Sequence, residues 1–284
     1  MTDASPQTSP STSEPALQAV LNAVEREREA TKAFPGKAPT LMRALLSLAD
    51  LRRDSGDTTG AEESYREALD TAERMQLSPD LIANARTSLA TLLDFNGREA
   101  DSLPHYEEAI SNHEALGGEN LEIAAQLRNN LAMTYKSMGK FALAEQHYLR
   151  ALETLENKRG RESESVACVF NNLGSLYYAA GFPDQAKEMF EDGLSIRRTV
   201  LGDNHRDVAQ SLCNLATACH ELRDNEAAQK HFAQGLEILE ACLPAEAASY
   251  EAAGQDYIAM LDIIGETAKA ETFEKRMKKV LGTA

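Results

Sequence analysis

The sequence predicts an all-α chain made of stacked helical hairpins. Three observations carry that expectation. A pattern of leucine, small and aromatic residues returns at intervals of 41 to 42 residues. Ala, Leu and Glu are plentiful, while nine prolines and sixteen glycines interrupt 284 residues, a mixture that favours helix on intrinsic propensity. β-Branched residues are sparse and nowhere alternate as a half-buried strand would require. A fixed period of this size marks one supersecondary unit repeated, in which no unit buries enough apolar surface alone and stacking makes the core continuous.

The elements follow in order. Residues 1–14 are Ser, Thr, Pro and Asp with little to bury, and are expected to form a disordered tail. Residues 15–36 read as a capping helix. Leu17, Val20, Leu21 and Val24 share one face, and Phe34-Pro35-Gly36 ends it. Six hairpins then fill 39–282, at about 39–77, 79–117, 121–159, 163–201, 205–243 and 246–282. The third copy reads Asn130-Leu131-Ala132, Tyr135, Gly139, Ala144, Tyr148, Ala151, Leu152. The fourth, 42 residues on, reads Asn172-Leu173-Gly174, Tyr177, Gly181, Ala186, Phe190, Gly193, Leu194. The fifth keeps Asn214-Leu215-Ala216, Ala228, Phe232, Gly235 and Leu236, and the sixth is the weakest copy, with Tyr257, Leu261, Gly265 and Ala270. In each, the first helix carries the Leu-small pair and closes on a glycine, as at Gly139 and Gly181. Ala151 and Gly193 are expected where helices touch closely, and Glu145 on the open surface.

This spacing resembles the tetratricopeptide repeat, whose usual unit is about 34 residues. The longer unit, the Asn-Asn-Leu-Ala segment and the link Leu201-Gly202-Asp203-Asn204-His205-Arg206-Asp207-Val208-Ala209 resemble the kinesin light chain subclass, which has Pro where Arg206 stands. The resemblance spans about residues 39–282. It implies an α-solenoid wound as a right-handed superhelix with a concave groove. Kinesin light chains also carry a long heptad region, and cargo-binding members line the groove with basic residues; neither feature is present here, so kinesin transport is not implied. The compact form is similar to the bacterial kinesin-light-chain-like proteins that accompany bacterial tubulins. That likeness implies a non-enzymatic scaffold that binds and stabilises a bacterial tubulin filament. The alternative is an adaptor or regulator reading an extended peptide in the groove.

Candidate partner-binding residues fall in two sets. In the resembled fold the residue before the Leu-small pair faces the groove. That places Asn130, Asn172 and Asn214 there, with Asn129 and Asn171 beside the first two. Such amides can donate to and accept from a peptide backbone, or can equally bond within the stack and order it. Lys136, Tyr178 and His220 are further groove positions, but Lys136 alone does not make a carboxylate clamp. The second set is a basic edge at the repeat links: Lys158, Arg159, Arg161, Arg197 and Arg198. These cations sit near helix C-termini, where the dipole favours them, and can also meet an acidic surface.

Other functions lack a foothold. A net charge of −16 argues against nucleic acid as the partner. No apolar run is long enough to span a membrane and no secretory signal opens the chain, so a cytoplasmic location is expected. Cys168, Cys213, Cys219 and Cys242 form no C-x-x-C pair and read as small buried or half-buried thiols. No metal or cofactor is implied. None of the six histidines falls in a catalytic motif, there is no glycine-rich phosphate loop, and His205 reads as a helix-start residue. The chain is not expected to be an enzyme.

Overall fold

The computed structural model describes residues 13–282, and within them every regular element is helical. Thirteen α-helices occur among the described residues: α1 Ser13–Ala33, α2 Ala38–Asp54, α3 Thr58–Arg74, α4 Pro79–Phe95, α5 Glu99–Leu116, α6 Asn120–Ser137, α7 Phe141–Arg159, α8 Glu164–Ala179, α9 Pro183–Leu201, α10 Arg206–Glu221, α11 Asn225–Ala241, α12 Ala247–Ile263 and α13 Thr267–Leu281. Most of the expected N-terminal tail lies outside the described residues. Its last two positions do not: α1 already begins at Ser13. Pro15 is compatible with that early start, because an N–H in a helix's first turn has no intrahelical partner to lose.

The chain forms two compact units, residues 1–134 and 135–284, and the division falls inside α6. In the first unit α1 covers the end of the α2–α3 hairpin. Val24 is buried against it, with Leu17, Val20 and Leu21 packed on the same core. Arg28 on α1 holds the Glu67 carboxylate of α3 with a two-pronged bond, Nε to Oε1 at 2.8 Å and Nη2 to Oε2 at 2.6 Å. A forked pair fixes direction as well as distance, so it sets the angle at which the capping helix lies. Met42, Leu45, Tyr65, Leu89 and Leu93 fill the space beneath. In the second unit the core runs from Ala186 and Phe190 through Leu215 and Phe232 to Tyr257 and Met277.

One aromatic column recurs through both units. Tyr65, Tyr106, Tyr148, Phe190 and Phe232 stand at the same position of successive second helices, and all are buried. Each removes a large apolar surface from water, worth on the order of 1.5–3 kcal/mol. Small residues make room for them. A Cβ built on Gly174 would lie 2.5 Å from a ring carbon of Phe190. At Gly193 it would lie 3.2 Å from the Ala167 carbonyl oxygen, so α9 and α8 touch backbone to backbone there.

The six hairpin turns share one chemistry. Asp57, Arg98, Lys140, Phe182, Asp224 and Glu266 each donate a backbone N–H to the carbonyl five residues earlier, at 2.8–2.9 Å. The residue just before each donor has positive φ, as this helix-ending motif requires. Glycine supplies it at Gly56, Gly97, Gly139, Gly181 and Gly265. In the fifth hairpin Arg223 takes the same conformation, with φ 64°.

Candidate functional site

The amide positions divide between the units. In the first, Asn129 and Asn130 are half-buried neighbours on α6, and Asn129 Nδ2 approaches Asn130 Oδ1 at 3.5 Å. In the second, Asn171 and Asn172 on α8 and Asn214 on α10 are half-buried. The structure joins Asn171 to Asn214: Asn214 Nδ2 donates to Asn171 Oδ1 at 3.0 Å, while Gln210 Nε2 donates to Asn214 Oδ1 at 3.1 Å. These amides therefore bind adjacent first helices to each other. Asn172 Nδ2 points to Cys168 Sγ at 3.8 Å.

The remaining groove candidates are also engaged locally. Lys136 is half-buried, and its Nζ donates to Ser175 Oγ on α8 at 2.8 Å; burial lowers its pKa. Tyr178 is exposed, and its hydroxyl reaches Glu221 of α10 at 3.4 Å. His220 Nδ1 meets Asn225 Oδ1 at 3.0 Å across the α10–α11 turn. Glu145, expected on the open surface, instead accepts the Tyr177 hydroxyl at 2.6 Å, linking α7 to α8. Among the thiols, Cys213 and Cys219 are buried and Cys242 is half-buried, whereas Cys168 is exposed, against the expectation of burial. His205 caps α10, accepting the Asp207 backbone N–H at 3.2 Å.

The link cations sort into three kinds. Lys158 and Arg159 are exposed at the end of α7. Arg161 pairs with Glu156 at 3.1 Å and Asp192 at 2.9 Å and lies over the Phe170 ring at 5.0 Å, while Arg198 pairs with Asp203 at 3.3 Å. Arg197 is not on the edge at all. It is 8% exposed, and its Nη1 donates to the Asp207 carbonyl at 2.8 Å and to Ser211 Oγ at 2.7 Å. The reason is register: positions 42 residues to either side hold Leu155 and Leu239, both buried. Arg197 occupies that inward column and ties α9 to the first turns of α10.

Among the described residues no group of three or more His, Cys, Asp and Glu side chains is disposed to hold a metal. No helix among them is long and apolar enough to cross a membrane.

The tetratricopeptide-repeat profile matches residues 81–157 and 165–241, and a second profile of the same repeat matches 44–77. No protein of curated function matches the chain. Among solved structures, BtubC (BKLC) from P. vanneervenii is similar at 32% identity and a TM-score of 0.71, covering 83% of this chain and 94% of that one. A kinesin light chain of Podospora anserina with nearly identical TPR-like repeats aligns at 19% identity and a TM-score of 0.62, over 72% of this chain and 98% of its own. PilF of Pseudomonas aeruginosa aligns at 20% identity and a TM-score of 0.55, over 87% and 95%. These last two show the fold alone.

Proposed function

We propose that this chain, which belongs to the tetratricopeptide-repeat family, is a non-enzymatic scaffold in the cytoplasm that binds and stabilises a bacterial tubulin filament. The observation that carries the reading is the likeness to BtubC, which extends over 94% of that protein at 32% identity. Likeness at that level over nearly the whole of that protein supports a related partner.

The physical argument concerns charge. The chain carries −16, so an acidic partner must be met through local cations and apolar contact. Lys158 supplies an exposed cation at the link between α7 and α8, and Arg159, Arg161 and Arg198 lie at links of the same unit, the charge of Arg161 and Arg198 being shared among Glu156, Asp192 and Asp203. A filament presents its subunits repeatedly, so contacts that are individually weak act together once several molecules are bound along it.

The test is co-sedimentation with bacterial tubulin filaments across a salt series. Wild type should pellet with polymer, and less so as salt rises, because exposed charges are screened within about 10 Å at 0.1 M. Lys158→Glu with Arg159→Glu should reduce pelleting at low salt. Absence of wild-type pelleting at low salt rejects the filament reading. Pelleting that ignores the reversal moves the contact away from this link.

A further inference from the structure

The aromatic column fixes where the outermost row of each second helix lies. Positions six and two before the column residue, and one and five after it, fall within about 60° of each other at about 100° per residue. In all six second helices these positions are exposed, so the rows face solvent and not the stack. In α3, α5, α7 and α11 the row carries one more acid than base. Two rows depart from that in opposite directions, and both belong to the second unit. The row of α9 reads Asp184, Glu188, Glu191 and Ser195, three acids and no base. The row of α13, where Glu274 stands at the column position, reads Ala268, Thr272, Lys275 and Lys279, two bases and no acid.

These charges are largely unspent within the chain. Asp184, Glu188, Lys275 and Lys279 form no ion pair among the described residues, and Glu191 has only Lys187, at 3.9 Å. The cations flanking the α13 row are engaged: Arg276 with Glu240 at 2.9 Å, Lys278 with Glu274 at 2.6 Å, and Lys269 with Gln229 at 2.8 Å. The helix dipole favours Asp184 in the first turn of α9 and Lys279 in the last turn of α13. It does not reach Glu188, Glu191 or Lys275, which lie further in. Glu188 and Glu191 stand about 4.5 Å apart along their helix and Lys275 and Lys279 about 6 Å, so two ion pairs can form side by side. The rows cannot meet within one chain, because α10, α11 and α12 separate their helices in the stack.

We infer that the α13 row of one copy docks on the α9 row of a second copy of this chain. The complement of the basic row is present on the molecule itself. The two docking surfaces differ, so a bound copy still offers a free row to a third, and the contact can propagate. Exposed ion pairs are individually weak, which makes the association reversible and dependent on concentration. Copies gathered along a repeating partner meet at high local concentration and reinforce one another. Salt acts in two directions. Copies of charge −16 repel at long range, and screening within about 10 Å at 0.1 M removes much of that repulsion while sparing groups at ion-pair distance. At 1 M, where the screening length is about 3 Å, the pairs themselves weaken.

The experiment is sedimentation velocity of the free chain over a concentration series at about 0.1 M salt. Wild type should sediment faster as concentration rises, and should lose that behaviour at about 1 M salt. Lys275→Glu with Lys279→Glu, and separately Glu188→Lys with Glu191→Lys, alter exposed positions and should melt like wild type. Each places like charges opposite each other and should associate at least about tenfold more weakly. An equimolar mixture of the two variants brings opposite signs together again and should associate as wild type does. A wild type whose sedimentation ignores concentration overturns the inference. So does a mixture no more associated than either variant alone, because only complementary rows are rescued by a second altered chain. Reversed variants that both associate like wild type overturn it too, moving self-association to another face.

Discussion

Replacing Asn171 and Asn214 by alanine, singly and together, measures what the amide pair does. The bond from Asn214 Nδ2 to Asn171 Oδ1 is 3.0 Å long and joins α8 to α10. Both side chains are half-buried, so a survivor can still bond water, and the loss belongs in the lower half of the roughly 0.5–1.5 kcal/mol range for such bonds. Each substitution also gains helix propensity, about 0.5–0.7 kcal/mol for Asn to Ala. The single variants should therefore be close to neutral, and their melting temperatures alone decide nothing. The double-mutant cycle cancels the propensity gain, because that gain is local and additive. The expected coupling is about 0.5–1 kcal/mol, read from denaturant unfolding of the four proteins. Coupling indistinguishable from zero would refute the assignment of these amides to the stack and return them to the groove as free recognition groups.

Three further outcomes follow from local geometry. Arg223→Gly should stabilise the chain by roughly 0.5–1 kcal/mol, since it relieves about 1–2 kcal/mol of left-handed backbone cost and gives back part of it as unfolded-state entropy; a lower melting temperature would count against the shared turn. Ala151, fully buried on α7, should not accept leucine: Ala151→Leu is expected to cost on the order of 1–3 kcal/mol by overpacking, whereas exposed Glu188→Ala should change stability by less than about 0.5 kcal/mol, both checked by thermal unfolding. Burial pushes the Cys213 thiol up to about 12, and burial with the Glu145 hydrogen bond raises Tyr177 to about 12. Folded-state values raised above the unfolded ones stabilise the chain fully below about pH 8.5 for the thiol and about pH 10 for the phenol, and that stability is lost as pH rises toward 12. Alkylation at pH 8, followed by mass spectrometry, should label exposed Cys168 well before Cys213.

Much of the fold was legible because the core columns repeat in kind. The aromatic column from Tyr65 to Phe232 keeps its chemistry at each step, and such regularity in a single sequence already implies a shared environment. Other features needed the structure, for identifiable reasons. Arg197 looks like its neighbour Arg198, yet falls on the inward register. Leu155 and Leu239, 42 residues to either side, mark that register, and arginine departs from it because a charged side chain is rarely found fully buried. His113 stands 42 residues before Leu155 and is equally buried, with its Nδ1 against Asn120 at 3.0 Å. The Glu145–Tyr177 bond joins residues 32 positions apart on different helices, and no periodicity announces a side-chain pair of that kind. Arg223 breaks the glycine column, and the turn forms regardless, because the tertiary packing of α10 and α11 outweighs a local backbone cost of about 1–2 kcal/mol.

Departures from the repeat therefore carry different meanings by depth. A deviation in a buried column must be answered by the structure around it. Arg197 shows this in part: the Asp207 carbonyl and Ser211 hydroxyl accept from its Nη1 in place of the packing a leucine would give, while its Nε is buried without a hydrogen-bond partner. A deviation in an exposed column meets no such demand. Leu149 stands at a site where Glu107 and Glu191 are equally well accommodated, and water penalises the leucine there relative to either acid. Stability of the stack gives no reason for it, and solubility argues against it. Asparagine in the first helices is the intermediate case: half-buried, with a bond across the stack, and answered in part. The fold itself therefore accounts in part for Arg197 and for the Asn171–Asn214 pair, and least for the exposed Leu149.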